Sequence, residues 1–211
     1  QYKHPLASHG IVKFSVTDPA TNRSEAGVCR IHRLHIENDA GKLMHRANHS
    51  LCDYNRAGTP LMEIVSEPDF RTPQEAKAYL QEMQLIMRYL GVSDADMEKG
   101  HLRCDANISL RPVGDKELYA KTEIKNLNSF KAVERALEYE VKRQTGLWED
   151  KQPPTTSTTR GWDETTQATK EQRIKEGEVD YRYFPEPDIP PMRFTKQFIQ
   201  AIHDSMPQLP D

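Results

Sequence analysis

The stretch 101–112, H-L-R-C-D-A-N-I-S-L-R-P, constrains this chain more than any other. Leu102, Cys104, Ala106, Ile108 and Leu110 alternate with Arg103, Asp105, Asn107, Ser109 and Arg111. A period of two over that length predicts a strand with one face buried. The other face carries guanidiniums, a short carboxylate, an amide and a hydroxyl, with no Lys or Glu. Such groups suit fixed, directional hydrogen bonds. Two readings are open at this point: the floor of a polar site, or the wet face of an antiparallel sheet.

A chain of 211 residues can hold one large domain and bury a real core. Its formal net charge of -3 excludes a polybasic binder working by bulk attraction, so any nucleic-acid contact has to be local. A charged fraction of 29% and the lack of a long apolar run exclude a membrane-spanning helix. Cys29, Cys52 and Cys104 are odd in number, widely spaced and form no C-x-x-C, which indicates neither a disulfide framework nor a thiolate zinc site. A reducing, cytoplasmic setting fits. No signal peptide is visible and the chain opens on Gln1, which we read as a fragment whose N-terminal part has been removed.

In order along the chain, 10–16 and 26–36 read as two strands of a hairpin joined by the turn-rich T-D-P-A-T-N-R-S. His32 and His35 should point to opposite faces, a poor arrangement for joint metal ligation, with one packed and the other exposed. A further strand covers 60–67, where Glu63 is flanked by Leu61, Met62, Ile64 and Val65 and is expected to be partly withdrawn from water. Burying a carboxylate alone costs on the order of several kcal/mol, so it needs a cation, a guanidinium or a proton. A structural ion pair and a metal ligand both satisfy that need.

Thr72, Pro73 and Glu75 predict a capped helix start, and Ala76, Tyr79, Leu80, Met83, Ile86, Met87 and Leu90 recur at helical spacing before Gly91. This helix should cover the back of the sheet. In 119–125 Lys121, Glu123 and Lys125 project together, commonly a solvated charged face. A second helix follows 126–129, with Phe130, Val133, Leu137 and Val141 inward and Gly146 past its end. The polar run 148–173 reads as loop with 160–163 as a possible edge strand, 180–191 as a rigid proline-locked loop and 195–205 as a short helix. The fold class is α+β.

Several blocks then resemble one family. Residues 55–69, N-R-A-G-T-P-L-M-E-I-V-S-E-P-D, are similar to the signature of the B-subunit (GatB) family of aspartyl/glutamyl-tRNA amidotransferases. Residues 102–111, 125–130 (K-N-L-N-S-F), 160–164 (R-G-W-D-E) and 180–190 match further blocks in the same order. The resemblance implies a glutamine-synthetase-like core, an antiparallel sheet with helices packed on one face. It implies a catalytic cradle domain over 1–192, its first part missing, and over 193–211 the start of a helical linker towards a tRNA-binding region.

The activity it implies is ATP-dependent phosphorylation of the side-chain carboxylate of Glu or Asp misacylated on tRNA-Gln or tRNA-Asn, followed by amidation with ammonia from a glutaminase subunit. The implied cofactors are ATP and Mg2+, and the implied partners are the A and C subunits and misacylated tRNA. Glu63 and Asp105 fall on metal-ligand positions of the family, expected to point into one site. Arg103, Lys125 and Asn126 are expected at the phosphates. Where the family commonly has two adjacent acids this chain has Glu37-Asn38, so the ligand is Asn38 through its amide oxygen, or Glu37 if a bulge shifts the register. The competing function is a non-catalytic scaffold or tRNA-docking module, with the same charges in structural ion pairs.

Overall fold

The computed structural model describes residues 4–18, 20–174 and 189–208. The expected rigid loop over 180–191 falls almost wholly outside the described residues. The chain forms two compact units, one of Gln1–Val12, Val28–Asp69 and Asp180–Met206, the other of Lys13–Gly27, Phe70–Val179 and Pro207–Asp211.

Strands β1 (Ala7–Thr17), β2 (Ser24–Asn38) and β5 (Pro60–Ser66) make a three-stranded sheet in the order β1-β2-β5, so the expected first hairpin forms and runs longer than its apolar cores. Gly27 is required by the packing of Phe14: a Cβ there would stand 2.3 Å from that ring. In the first unit the chain leaves the sheet after Asn38 and returns at Pro60. Between them β3 (Lys42–His45) and β4 (Ser50–Asp53) form a two-stranded hairpin that no sequence pattern predicted. Asp39 clamps its base: the Asp39 amide donates to Thr59 O (2.9 Å), its carbonyl accepts from Gly58 N (2.8 Å), and its carboxylate pairs with Arg56 at 2.7 Å. Gly41 turns at φ +84°, where a Cβ would meet Asp53 O at 2.7 Å. The linker boundary expected at 192/193 lies just before helix α3 (Lys196–Ser205), capped by Thr195.

In the second unit helix α1 (Pro73–Tyr89) starts as the sequence dictates. Thr72 Oγ1 accepts from Glu75 N at 3.2 Å, Glu75 Oε2 accepts from Thr72 N at 3.0 Å, and Gly91 follows the helix at φ +66°. Tyr79 and Met83 are buried, whereas Leu90, expected inward, is exposed at the frayed end. Helix α2 (Phe130–Glu149) is capped by Ser129 and runs through Gly146 instead of stopping there. The turn beyond is held by Trp148, whose ring meets Tyr119 edge-on at 5.1 Å.

Strands β6 (Cys104–Ile108), β7 (Thr122–Leu127), β8 (Thr158–Asp163) and β9 (Ala168–Ile174) form a four-stranded sheet in that order. It is mixed, since β7 and β8 run parallel, which corrects the purely antiparallel expectation. Strand β8 is central, not an edge, and β9 occupies what read as polar loop. Its polar sequence, A-T-K-E-Q-R-I, hid a strand that pairs with β8 along its length. The core lies between this sheet and the helices, built on Ile124, Leu127, Val133, Ala136, Leu137, Met97 and Trp162.

Inside that core sits a carboxylate. Glu140 of α2 is fully buried and accepts from Arg143 (2.8 Å), Gln144 (3.1 Å) and Thr169 of β9 (2.5 Å), with Arg160 of β8 at 3.3 Å. Burial pushes its carboxyl up, and hydrogen bonds from Arg143, Thr169 and Gln144 overcome this and hold it below the usual range. Its stabilising contribution is therefore complete above the unfolded carboxyl's value, about 4.3, and is lost as pH falls through the lower folded one. Glu140→Gln should cost about 3 to 5 kcal/mol in urea unfolding at pH 7, because it strands two guanidiniums. The variant should also lose the share of the acid dependence of stability that Glu140 supplies.

Candidate functional site

The residues singled out by sequence fall into two groups, one in each unit. In the first, β2 and β5 pair antiparallel with His35 opposite Glu63, Glu37 opposite Leu61 and Asn38 opposite Pro60. Directly opposed residues share a face and alternate residues return to it. His35, Glu37 and Glu63 therefore lie on one face, and Asn38 on the other with Ile36 and Met62. The only irregularity in this ladder lies between Ile31 and Arg33, before the acids, so no bulge is needed to bring Glu37 beside Glu63.

Glu63 is exposed, not withdrawn from water as its apolar neighbours implied. Among the described residues its strand pairs with β2 alone, at the rim of the sheet, and its side chain faces solvent. The two histidines divide as expected. His32 is half exposed and bonds Glu67 at 2.8 Å, while His35 is 4% exposed. Burial, then the Arg33 charge, depresses the His35 imidazole, and Glu63 opposes that shift.

In the second unit, Arg103, Asp105 and Asn107 are exposed on one side of β6 while Cys104, Ala106 and Ile108 pack on the core. The strand is shorter than the alternation implied, five residues from Cys104 to Ile108. Burial pushes the Cys104 thiol up to about 12, so it is an inert core group. Lys125 Nζ meets the Asp105 carboxylate at 2.5 Å and Glu123 at 3.3 Å. Burial lowers the Lys125 ammonium and the bond and charge of Asp105, with Glu123, raise it, leaving it above its ordinary value.

The ladder skips a residue between Cys104 and Ala106, with Asn126 in the left-handed region at φ +65°. Before that bulge Asn107 stands opposite Glu123 and Ala106 opposite Ile124, so plain alternation puts Glu123 and Lys125 on the Asp105 face. Asn126, expected at the phosphates, turns the strand here, its Nδ2 within 2.9 Å of where a Gly161 Cβ would be. Glu123, expected only as a solvated charge, is part of this cluster and also accepts from Thr159 at 3.1 Å. Its signal is present in the K-T-E-I-K alternation, but charge spacing alone does not distinguish a site from a wet face.

The first group offers hard oxygen donors on one face, suited to a divalent cation that keeps several waters. The second offers cations with an acid partner, suited to a phosphate. Among the described residues no three His, Cys, Asp or Glu side chains gather as a metal cluster, so the donor set on either strand pair is partial.

Residues 1–200 match the GatB/GatE catalytic domain. The B-subunit of the aspartyl/glutamyl-tRNA(Asn/Gln) amidotransferase of Persephonella marina is 53% identical over 211 residues, all of this chain and 43% of that protein. The proteins of the same description from Carboxydothermus hydrogenoformans and Rippkaea orientalis are 50% and 48% identical, again over all of this chain and 44% of theirs. The chain thus spans less than half the length of the curated relatives it matches. With the match running through every strand and helix that carries the two groups, the chain belongs to the GatB/GatE catalytic-domain family.

Proposed function

We propose that this chain is the carboxylate-activating part of a tRNA-dependent amidotransferase, acting in the cytoplasm with A and C subunits. It phosphorylates the side chain of Glu or Asp misacylated on tRNA and passes the activated acyl group to ammonia from the glutaminase subunit. The observation that carries this reading is a pair of carboxylates, Glu37 and Glu63, on one sheet face of a chain matched to a catalytic domain over 1–200. A carboxylate cannot acylate ammonia because its leaving group would be oxide, whereas phosphate leaves readily.

ATP supplies the phosphoryl group and Mg2+ screens its charge against the attacking carboxylate. Glu37 and Glu63 are the side chains of the first unit that would hold the metal, and Asp105 is the corresponding acid of the second. Arg103 and Lys125 neutralise phosphate oxygens, Lys125 turning from Asp105 and Glu123 to do so, with Asn126 beside them at the β7 bulge. We also propose the glutamine-synthetase-like core that the family resemblance implies. The scaffold reading has one observation in its favour, the Lys125–Asp105 ion pair. With side chains 33% and 50% exposed, that pair is worth roughly 0 to 1 kcal/mol, too little to explain the cluster by stability.

Glu63→Gln and Asp105→Asn should each abolish ATP-dependent amidation in the full complex while glutaminase activity persists. Near-normal amidation by either would remove that residue from the site. Lys125→Ala should raise the Michaelis constant for ATP or lower turnover with under about 1 kcal/mol change in unfolding free energy. An unchanged rate at limiting ATP would make Lys125 a surface charge.

A Mg2+ titration separates the two candidate positions in H-I-E-N-D, Glu37 and Asn38. On the observed register Glu37→Gln raises the Mg2+ needed for half-maximal activity and Asn38→Asp is silent. The reverse result would mean that the working register differs by one residue.

A further inference from the structure

His35 is the buried group on the Glu63 face that the proposed chemistry leaves without a role. It stands directly opposite Glu63 in the β2–β5 ladder, and its side chain is almost wholly out of solvent, at 4% exposure. Its Nε2 has no hydrogen-bond partner among the described residues. A buried ring nitrogen without a partner is rare and asks for a reason. Packing does not supply one, since a phenyl ring fills the same space without stranding a polar atom.

The register supplies a candidate acceptor. Opposed residues of an antiparallel pair have Cβ atoms about 4.5 to 5.5 Å apart, so the imidazole and the Glu63 carboxylate are within side-chain reach of each other. Glu63 is exposed on an edge strand, and a carboxylate there samples many rotamers. A ligand carboxylate that is free to swing binds a cation poorly, which is why such groups are commonly held by a hydrogen bond from behind.

We propose that His35 is a positioning residue: its Nε2–H donates to the Glu63 carboxylate and fixes the orientation in which Glu63 meets a divalent cation. The inference rests on the reading of Glu63 as a metal-holding group.

Mn2+ serves as the probe, with free ion counted by electron paramagnetic resonance on the full-length subunit in its complex, alongside metal-free thermal unfolding. Glu63→Gln and His35→Phe should each weaken one Mn2+ site about tenfold or more, while His35→Gln, whose amide N–H takes the place of Nε2–H, stays within about threefold of wild type. Metal-free His35→Phe should unfold no earlier than wild type, because an unpartnered polar atom has gone. Loss of Mn2+ in Glu63→Gln with none in His35→Phe overturns the role of His35 alone. No loss in Glu63→Gln overturns the metal reading, and this inference with it. Parallel loss of Mn2+ and of metal-free stability in both His35 variants makes His35 a packing residue and overturns the proposal.

Discussion

The second unit is organised by one buried charge. Glu140 sits on the inward stripe of α2, where an apolar side chain would be the ordinary choice, and its two oxygens gather Arg143 and Gln144 from the same helix, Arg160 from β8 and Thr169 from β9. Gln144 also reaches Thr122 of β7 at 3.3 Å. A helix and three strands are thus tied through a single carboxylate. An apolar contact tolerates sliding, whereas a set of directional bonds to one buried anion does not. The parallel β7–β8 pair needs such a device, since no short hairpin can set its register.

The first unit is governed by register. In a ladder with period two, a shift of one residue moves every side chain to the opposite face. Placing His35 opposite Glu63 puts Glu37 on the Glu63 face and turns Asn38 away. The charge of the Glu63 face on β2 is therefore set by Glu37, whatever residue stands at position 38.

What the sequence made legible follows from the kind of signal each element carries. Helix α1 was readable because its cap, proline, periodicity and closing glycine all agree, and β6 because alternation in 102–110 is unbroken. Strand β9 and the true end of α2 were not, because a polar strand and a helix that passes through Gly146 are decided by tertiary partners, Arg160 and Tyr119 among them. Glu63 failed differently: its apolar neighbours are real, but edge position, which no local pattern encodes, leaves it in solvent. The ladder between β2 and β5, and with it which of residues 37 and 38 shares the Glu63 face, is likewise a long-range fact. Family resemblance named these residues, while alternation alone left their roles open.

The clamp at Asp39 has a bearing on how chains of this kind can vary. Everything between Asn38 and Pro60 hangs from one buried aspartate that fastens both ends of the excursion. Lengthening a loop whose ends are already held costs only about 0.6 kcal/mol per doubling. Insertions at the tip, around Ala47 and Asn48, are thus mechanically insulated from the strands below. The hairpin is a place where the protein can accumulate change freely while the two strands beneath it stay in step.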